Sequence, residues 1–307
     1  YHEAERAIRA AEKLRHVSGR WAGEYVRLED WQAFLIGSIW GWRVKDGRRA
    51  VRQVMLWVPR KNGKSLLAAV VALLALILDD EPGGEIYCGA TSEKQAWKVF
   101  GPAREMVKKD DALRERFGLE VNARTIVRPD INASFAPVIG KPGDGDSPHV
   151  AINDEFHEHA DWDQYETFDT GVGARDQPIH LVISTSGSNL GGPAKEYYDE
   201  CKRILAGTIE DTQRLVLIFE ADPADDWHAP ETLRKANPNY DISVSGEYLL
   251  AQQEKAKRSP TAQNAFRTKH LNQWVGAKTA WLNLLRWQKQ ARPGLNPDDL
   301  RNLPCVI

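Results

Sequence analysis

The 307-residue chain has few cysteines, no long hydrophobic run and almost no excess of charge of either sign. Cys88, Cys201 and Cys305 lie too far apart to form a metal-ligand pair or a disulfide framework, and they fit a reducing compartment. The longest apolar run, 66–78, falls short of the roughly 18 residues that mark a bilayer span. It ends in Asp79, Asp80 and Glu81, so it predicts a buried helix. The first residues do not combine a charged start, an apolar core and a small-residue cleavage site. Export is therefore not indicated, and a cytoplasmic location is the expectation. A formal net charge of -2 excludes a uniformly basic nucleic-acid binder and confines any grip on phosphates to a local patch. The densest basic stretch, "RVKDGRRAVR" at 43–52, reads either as such a patch or as a solvated loop beside a strand.

With 42% hydrophobic and 27% charged residues, the chain can build one large domain, or a large domain and a small one. Residues 1–20 have helix-forming composition, with Ser18 and Gly19 as a stop. A second helical pattern begins near Leu28 and places Trp31, Phe34, Leu35 and Ile39 on one apolar side. Short apolar runs at 51–58, 85–90, 149–152, 179–184 and 214–219 are separated by helical or loop-like segments, which predicts a largely parallel α/β sheet. From Ala221 the texture changes to a smaller, mainly helical appendage. Cys305, Val306 and Ile307 begin another apolar run, which predicts that a longer protein continues into a further strand.

The stretch "WVPRKNGKSLLAAVVALLALIL" at 57–78 sets a basic, polar knot between two pieces of core. A strand that turns tightly into a helix leaves unpaired N–H groups at the helix start, where the helix dipole also favours an anion. Gly63 permits close backbone approach, Lys64 reaches toward β and γ phosphates, and the Ser65 hydroxyl suits magnesium. Arg60 and Lys61 add cations beside Asn62. This is the second half of a Walker A motif; Val58 stands where the usual first glycine would be. Downstream, "HVAINDEFHEH" supplies a strand ending in two carboxylates, Asp154 to hold magnesium through water and Glu155 to polarise an attacking water. His157 and His159 lack the H-E-x-x-H spacing of a zinc site. "PIHLVISTSG" ends in Ser184, Thr185 and Ser186, small hydroxyls placed to sense a γ-phosphate and couple its loss to movement, or simply to end a strand. Upstream, the amide of Gln32 in "LEDWQAF" can both donate to and accept from an adenine edge.

The stretches "GEYVRLEDWQ", "PRKNGKS", "SPHVAINDEFHEH", "ISTSG", "ANPNY" and "FRTKHLNQW", in this order, resemble the ATPase half of a tailed-bacteriophage large terminase subunit. The resemblance implies a RecA-like P-loop fold at 1–220, a small, mostly helical lid at 221–290, and at 291–307 a linker leading into the first strand of a nuclease domain. It implies ATP and Mg2+ as cofactors. Gln32 would select adenine, Arg60, Lys61, Asn62, Gly63, Lys64 and Ser65 would bind ATP, Ser65 and Asp154 would hold the metal, and Glu155 would be the catalytic base, acting with Lys64 and Arg60. Ser184, Thr185 and Ser186 would be the coupling motif. Arg128, Lys141 and Arg124 are candidates for the cation that completes a neighbour's site. The resemblance further implies a motor that moves double-stranded DNA into a procapsid. Its partners would be a portal protein, a small terminase subunit and further copies in a ring, and it would work in the host cytoplasm, docked on the procapsid. A helicase or recombinase-type ATPase, a non-hydrolysing nucleotide-binding or scaffold protein and a complete nuclease are the competing readings; Glu155 argues against the second, because binding alone needs no water-activating carboxylate, and nuclease activity is expected of a longer protein rather than of these residues.

Overall fold

A computed structural model describes residues 2–139, 143 and 146–276. Eight strands form one sheet: β1 (Gln53–Trp57), β2 (Glu85–Ala90), β3 (Glu120–Val121), β4 (Ile126–Arg128), β5 (Ala133–Ile139), β6 (Pro148–Asp154), β7 (Ile179–Ser184) and β8 (Arg214–Ile218). Their order across the sheet is β3-β4-β5-β2-β6-β7-β1-β8. Pairing is parallel from β5 to β8, and only β3–β4 and β4–β5 run antiparallel.

The helices are α1 (His2–Ala11), α2 (Asp30–Gly41), α3 (Lys64–Leu78), α4 (Glu93–Lys108), α5 (Asp111–Phe117), α6 (Asp163–Gly171), α7 (Pro193–Leu205), α8 (Pro230–Ala236), α9 (Gly246–Lys257) and α10 (Pro260–His270). Helix α3 is apolar on every side, so it must lie inside. It leaves β1, crosses β7 and β6, and delivers the chain to β2, burying every residue from Leu67 to Ile77 between the sheet and helices α1 and α4. Among the described residues no helix is long and apolar enough to cross a membrane.

Two sequence expectations change, and one open alternative resolves. The first helix stops at Ala11, well before Ser18, and a short 3-10 turn, Gly19–Trp21, follows. Helix α2 buries Leu35, Ile36 and Ile39, but Phe34 is 48% exposed and meets the Trp42 ring edge-on. The basic stretch at 43–52 is the solvated loop beside a strand: of its cations only Arg49 is buried. Arg49 is buried on Asp79, Arg43 binds the Trp40 carbonyl and Gln177, and Arg48 pairs with Asp46.

Beyond β8, Ala221, Trp227, Leu233, Val244, Leu249 and Phe266 build a hydrophobic cluster separate from that of the sheet. The end of α10 returns to the sheet, where Leu271 O accepts from Ala221 N and Asn272 Nδ2 donates to Phe219 O.

Candidate nucleotide site

Parallel strands end on one edge of a sheet, and the register brings three such ends together. Trp57 of β1 pairs with Ser184 of β7, and Ile183 of β7 pairs with Asp154 of β6. Immediately after β1 the chain turns through Lys61 (φ 74) and Gly63 (φ 80), both left-handed, before α3 begins. Gly63 is favoured by that φ, while the Gln32 amide lies within ordinary contact distance of the turn.

Lys64 and Glu155 come together from the two strand ends, with Lys64 Nζ 3.2 Å from Glu155 Oε1 and both side chains buried. Glu155 itself stands in a left-handed conformation, φ 50, which for a non-glycine residue costs energy and is held by its surroundings. Burial pushes its carboxyl pKa up, but the Lys64 ammonium above all, with Arg60 farther off, outweighs burial and holds it below the ordinary value. Asp154 behaves in the opposite way: burial and the neighbouring Glu155 charge raise its carboxyl to about 7, with Lys64 only partly compensating. Asp154 Oδ1 accepts from Glu155 N at 2.8 Å. Among the described residues, Asp154 Oδ2 and Glu155 Oε2 are buried without a hydrogen-bond partner. Unsatisfied buried carboxylate oxygens are costly, and this pair, facing the start of α3, is matched by the chemistry of a cation and a polarised water.

Other predicted residues sit differently. Asn62 points away from the helix start, donating from Nδ2 to Asn237 Oδ1 at 2.8 Å and accepting at Oδ1 from Asn239 N at 3.0 Å. Arg60 is 4.0 Å from Glu158, and its backbone N–H donates to Lys269 O. Lys61 O accepts from Ser243 Oγ at 2.6 Å. Gln32 Oε1 accepts from Glu29 N at 3.0 Å in a capping box at the start of α2, so its acceptor is used internally and its amide N–H groups face the loop. A cavity of about 260 Å³ opens beside it, lined by Tyr25, Glu29, Gln32, Gly63, Leu66 and Asn239. Ser184 Oγ accepts from His157 N and donates to Thr185 O, each at 2.9 Å, while Ser186 is tied to Asn272 through both its N–H and its hydroxyl.

Of the three candidate trans-acting cations, Arg128 lies at the far end of α3, its guanidinium on Leu76 O, Asp80 and Asp130, and those contacts remove it from contention. Arg124 is exposed and pairs with Glu93 at 2.9 Å; Lys141 lies outside the described residues. Among the described residues no group of three or more His, Cys, Asp or Glu side chains is arranged to hold a metal ion.

The residues that sequence reasoning missed are Asn237, Asn239 and His157. The first two stand in "ANPNY" and close over the loop from the appendage, Asn239 Oδ1 also accepting from Trp31 Nε1 at 2.8 Å. Their Asn-Pro-Asn spelling was visible, but the partner across the fold was not.

The mainly parallel sheet with its helix-starting loop after β1 is a RecA-like P-loop fold. A model of the terminase large subunit ATPase domain matches residues 30–203, more than half of the chain, and the chain belongs to that family. It is 27% identical to the large terminase subunit of Enterobacteria phage HK97 over 275 residues, 88% of this chain and 53% of that protein. It is 41% identical to Protein YmfN of Escherichia coli (strain K12) over 190 residues, 62% of this chain and 42% of that one. The crystal structure of the HK97 large terminase superposes with a TM-score of 0.77 at 27% identity, covering 88% of this chain and 55% of that one. The chain thus spans about half the length of the relatives it matches.

Proposed function

We propose that this chain is the ATP-hydrolysing part of a motor that moves double-stranded viral DNA into a procapsid. The carrying observation is the meeting of Lys64 with Glu155 beside the unpartnered Asp154 Oδ2, at the ends of two parallel strands that β7 separates. Lys64 and the N–H groups at the start of α3 take the β and γ phosphates, and Arg60 and Lys61 add charge above them. The cavity beside Gln32 receives the nucleoside, the Gln32 amide donating to the adenine edge.

The donor set fits a hard divalent cation: a buried carboxylate oxygen with no partner on Asp154, and the Ser65 hydroxyl in the first turn of α3. Mg2+ held there would neutralise phosphate charge. Glu155, held ionised by Lys64 until phosphate arrives, orients and deprotonates the water. In this structure Lys64 is paired with Glu155; an arriving phosphate competes for Lys64 and leaves the carboxylate free for water. The hydroxyls at the end of β7 and the Asn62–Asn237–Asn239 contacts carry the change to the small helical cluster that begins at Ala221. In this reading double-stranded DNA, a portal protein, a small terminase subunit and neighbouring copies in a ring are the partners, and the host cytoplasm at the procapsid is the place. Arg124 is the remaining described candidate for the cation acting on a neighbour. The family match does not favour a helicase or recombinase.

ATP turnover per chain against protein concentration, with Glu155→Gln as the blank, tests this. Turnover that rises with concentration over a silent blank supports it. A wild type as inactive as the blank, together with a Lys64→Ala variant that binds ATP as tightly as wild type, would overturn it.

A further inference from the structure

We propose that His157 is a positioning residue for Glu155, linking the carboxylate to the hydroxyls at the end of β7; this rests on Glu155 being the base proposed above. The ring is nine-tenths buried, with Nδ1 3.4 Å from Glu155 Oε2, the oxygen turned away from Lys64. The same nitrogen is 3.2 Å from Ser184 Oγ and 3.5 Å from Thr185 Oγ1. His157 N–H also donates to Ser184 Oγ at 2.9 Å, so backbone and ring grip one hydroxyl. Gly187 keeps this space open, since a Cβ there would stand 3.3 Å from His157 Cβ.

Burial, which outweighs the attraction of Glu155 and Glu158, lowers the His157 pKa to about 4, so the neutral ring holds a single proton. The Ser184 hydroxyl spends its own proton on Thr185 O. A proton on Nδ1 therefore faces three acceptors, Glu155 Oε2, Ser184 Oγ and Thr185 Oγ1, and a shift of β7's end by a fraction of an ångström changes which one it serves. While Lys64 holds Oε1, the carboxylate is fixed without help. Once phosphate takes Lys64, the His157 N–H is the contact that aims Glu155. Ser186, next along, is bound to Asn272, whose side chain reaches Phe219 O, so the path continues from the base to the root of the small subdomain.

The test compares His157→Ala, His157→Asn and His157→Gln in the whole chain. An Asn amide nitrogen lies near the Nδ1 position, whereas that of Gln reaches toward Nε2. The Ala and Gln variants should lose about 10–100-fold in kcat, a size typical of groups that orient a reacting ligand. The KM for ATP should stay within about threefold, and Asn should recover most of the rate. Three variants equal to wild type, a loss confined to KM, or an Asn variant no better than Ala would overturn the assignment. The imidazole nitrogen-15 signals of His157 give a readout that needs no hydrolysis. They should move in Glu155→Gln; unmoved signals would overturn the contact. If they move in a chain that turns over no ATP, the contact stands and the hydrolytic reading fails.

Discussion

Helix α3 buries charge at both ends, and the two ends are wired in opposite ways. At its C-terminal end Asp79 is saturated: Oδ1 accepts from Trp40 Nε1 at 2.7 Å and from Arg49 at 2.9 Å, and Oδ2 from Arg49 at 3.0 Å and lies 2.8 Å from His149 Nε2. At its N-terminal end Lys64 meets one oxygen of Glu155, while the second oxygen and Asp154 Oδ2 have no hydrogen-bond partner among the described residues. A buried network that satisfies its acceptors holds structure together; one that leaves carboxylate oxygens open is poised for a ligand. The contrast locates the working end of the helix without reference to any motif.

Removing charge should therefore cost stability at one end and chemistry at the other. Asp79→Ala leaves Arg49, 1% exposed, buried without its anion, and should cost about 3–5 kcal/mol in urea unfolding. Turnover per folded molecule should be unchanged. Equal stability in the variant would break the contrast. At the other end, Glu155→Gln should lower turnover by at least about 100-fold. The change also takes the anion from buried Lys64, so some stability should be lost here too, but less than in Asp79→Ala, because Glu155 meets Lys64 through one oxygen whereas both oxygens of Asp79 are bound. A variant that unfolds as early as Asp79→Ala would show that Glu155 holds the fold.

Much of the sheet could be read from the chain because buried parallel strands are continuous apolar runs; β1, β2, β6, β7 and β8 are all of this kind. The antiparallel edge could not. Strands β3 and β4 are two and three residues long, and β5 carries Pro137 opposite Cys88, a residue that argues against a strand wherever it is met in sequence. Likewise, the loop from Arg60 to Ser65 and the Asp154–Glu155 pair are local spellings of local backbone. The partners of Asn62 and His157 lie more than 100 and nearly 30 residues away, at Asn237 and Ser184, and follow only from docking of the small subdomain and from strand order.

That docking offers an intermediate case, a saturated network placed at the working end. Asn62→Ala strands Asn237 Oδ1 and Asn239 N, and should cost about 1–3 kcal/mol. Unlike Asp79→Ala, it should also weaken ATP binding, because Asn239 lines the cavity beside Gln32. Calorimetric titration with ATP on the folded variant checks this; unchanged affinity would assign Asn62 to the structural side of the comparison.

The smallest effect near neutral pH, and the sharpest test of the saturated end, is its acid limb. Burial raises the Asp79 carboxyl, but Arg49, His149 and Trp40 together outweigh it and hold the pKa below the ordinary aspartate value of 3.8. A carboxyl whose folded pKa is lowered binds fewer protons than it does in the unfolded chain, so it stabilises the fold above about 3.8 and loses that contribution as the pH falls through the lowered value. Wild type should therefore lose stability steeply below pH 3.8, and Asp79→Asn, already weakened at neutral pH, should show a shallower loss over the same range. Parallel curves from urea melts between pH 2 and 6 would mean that other carboxylates carry the acid limb and that the far end of α3 is held by packing rather than by charge.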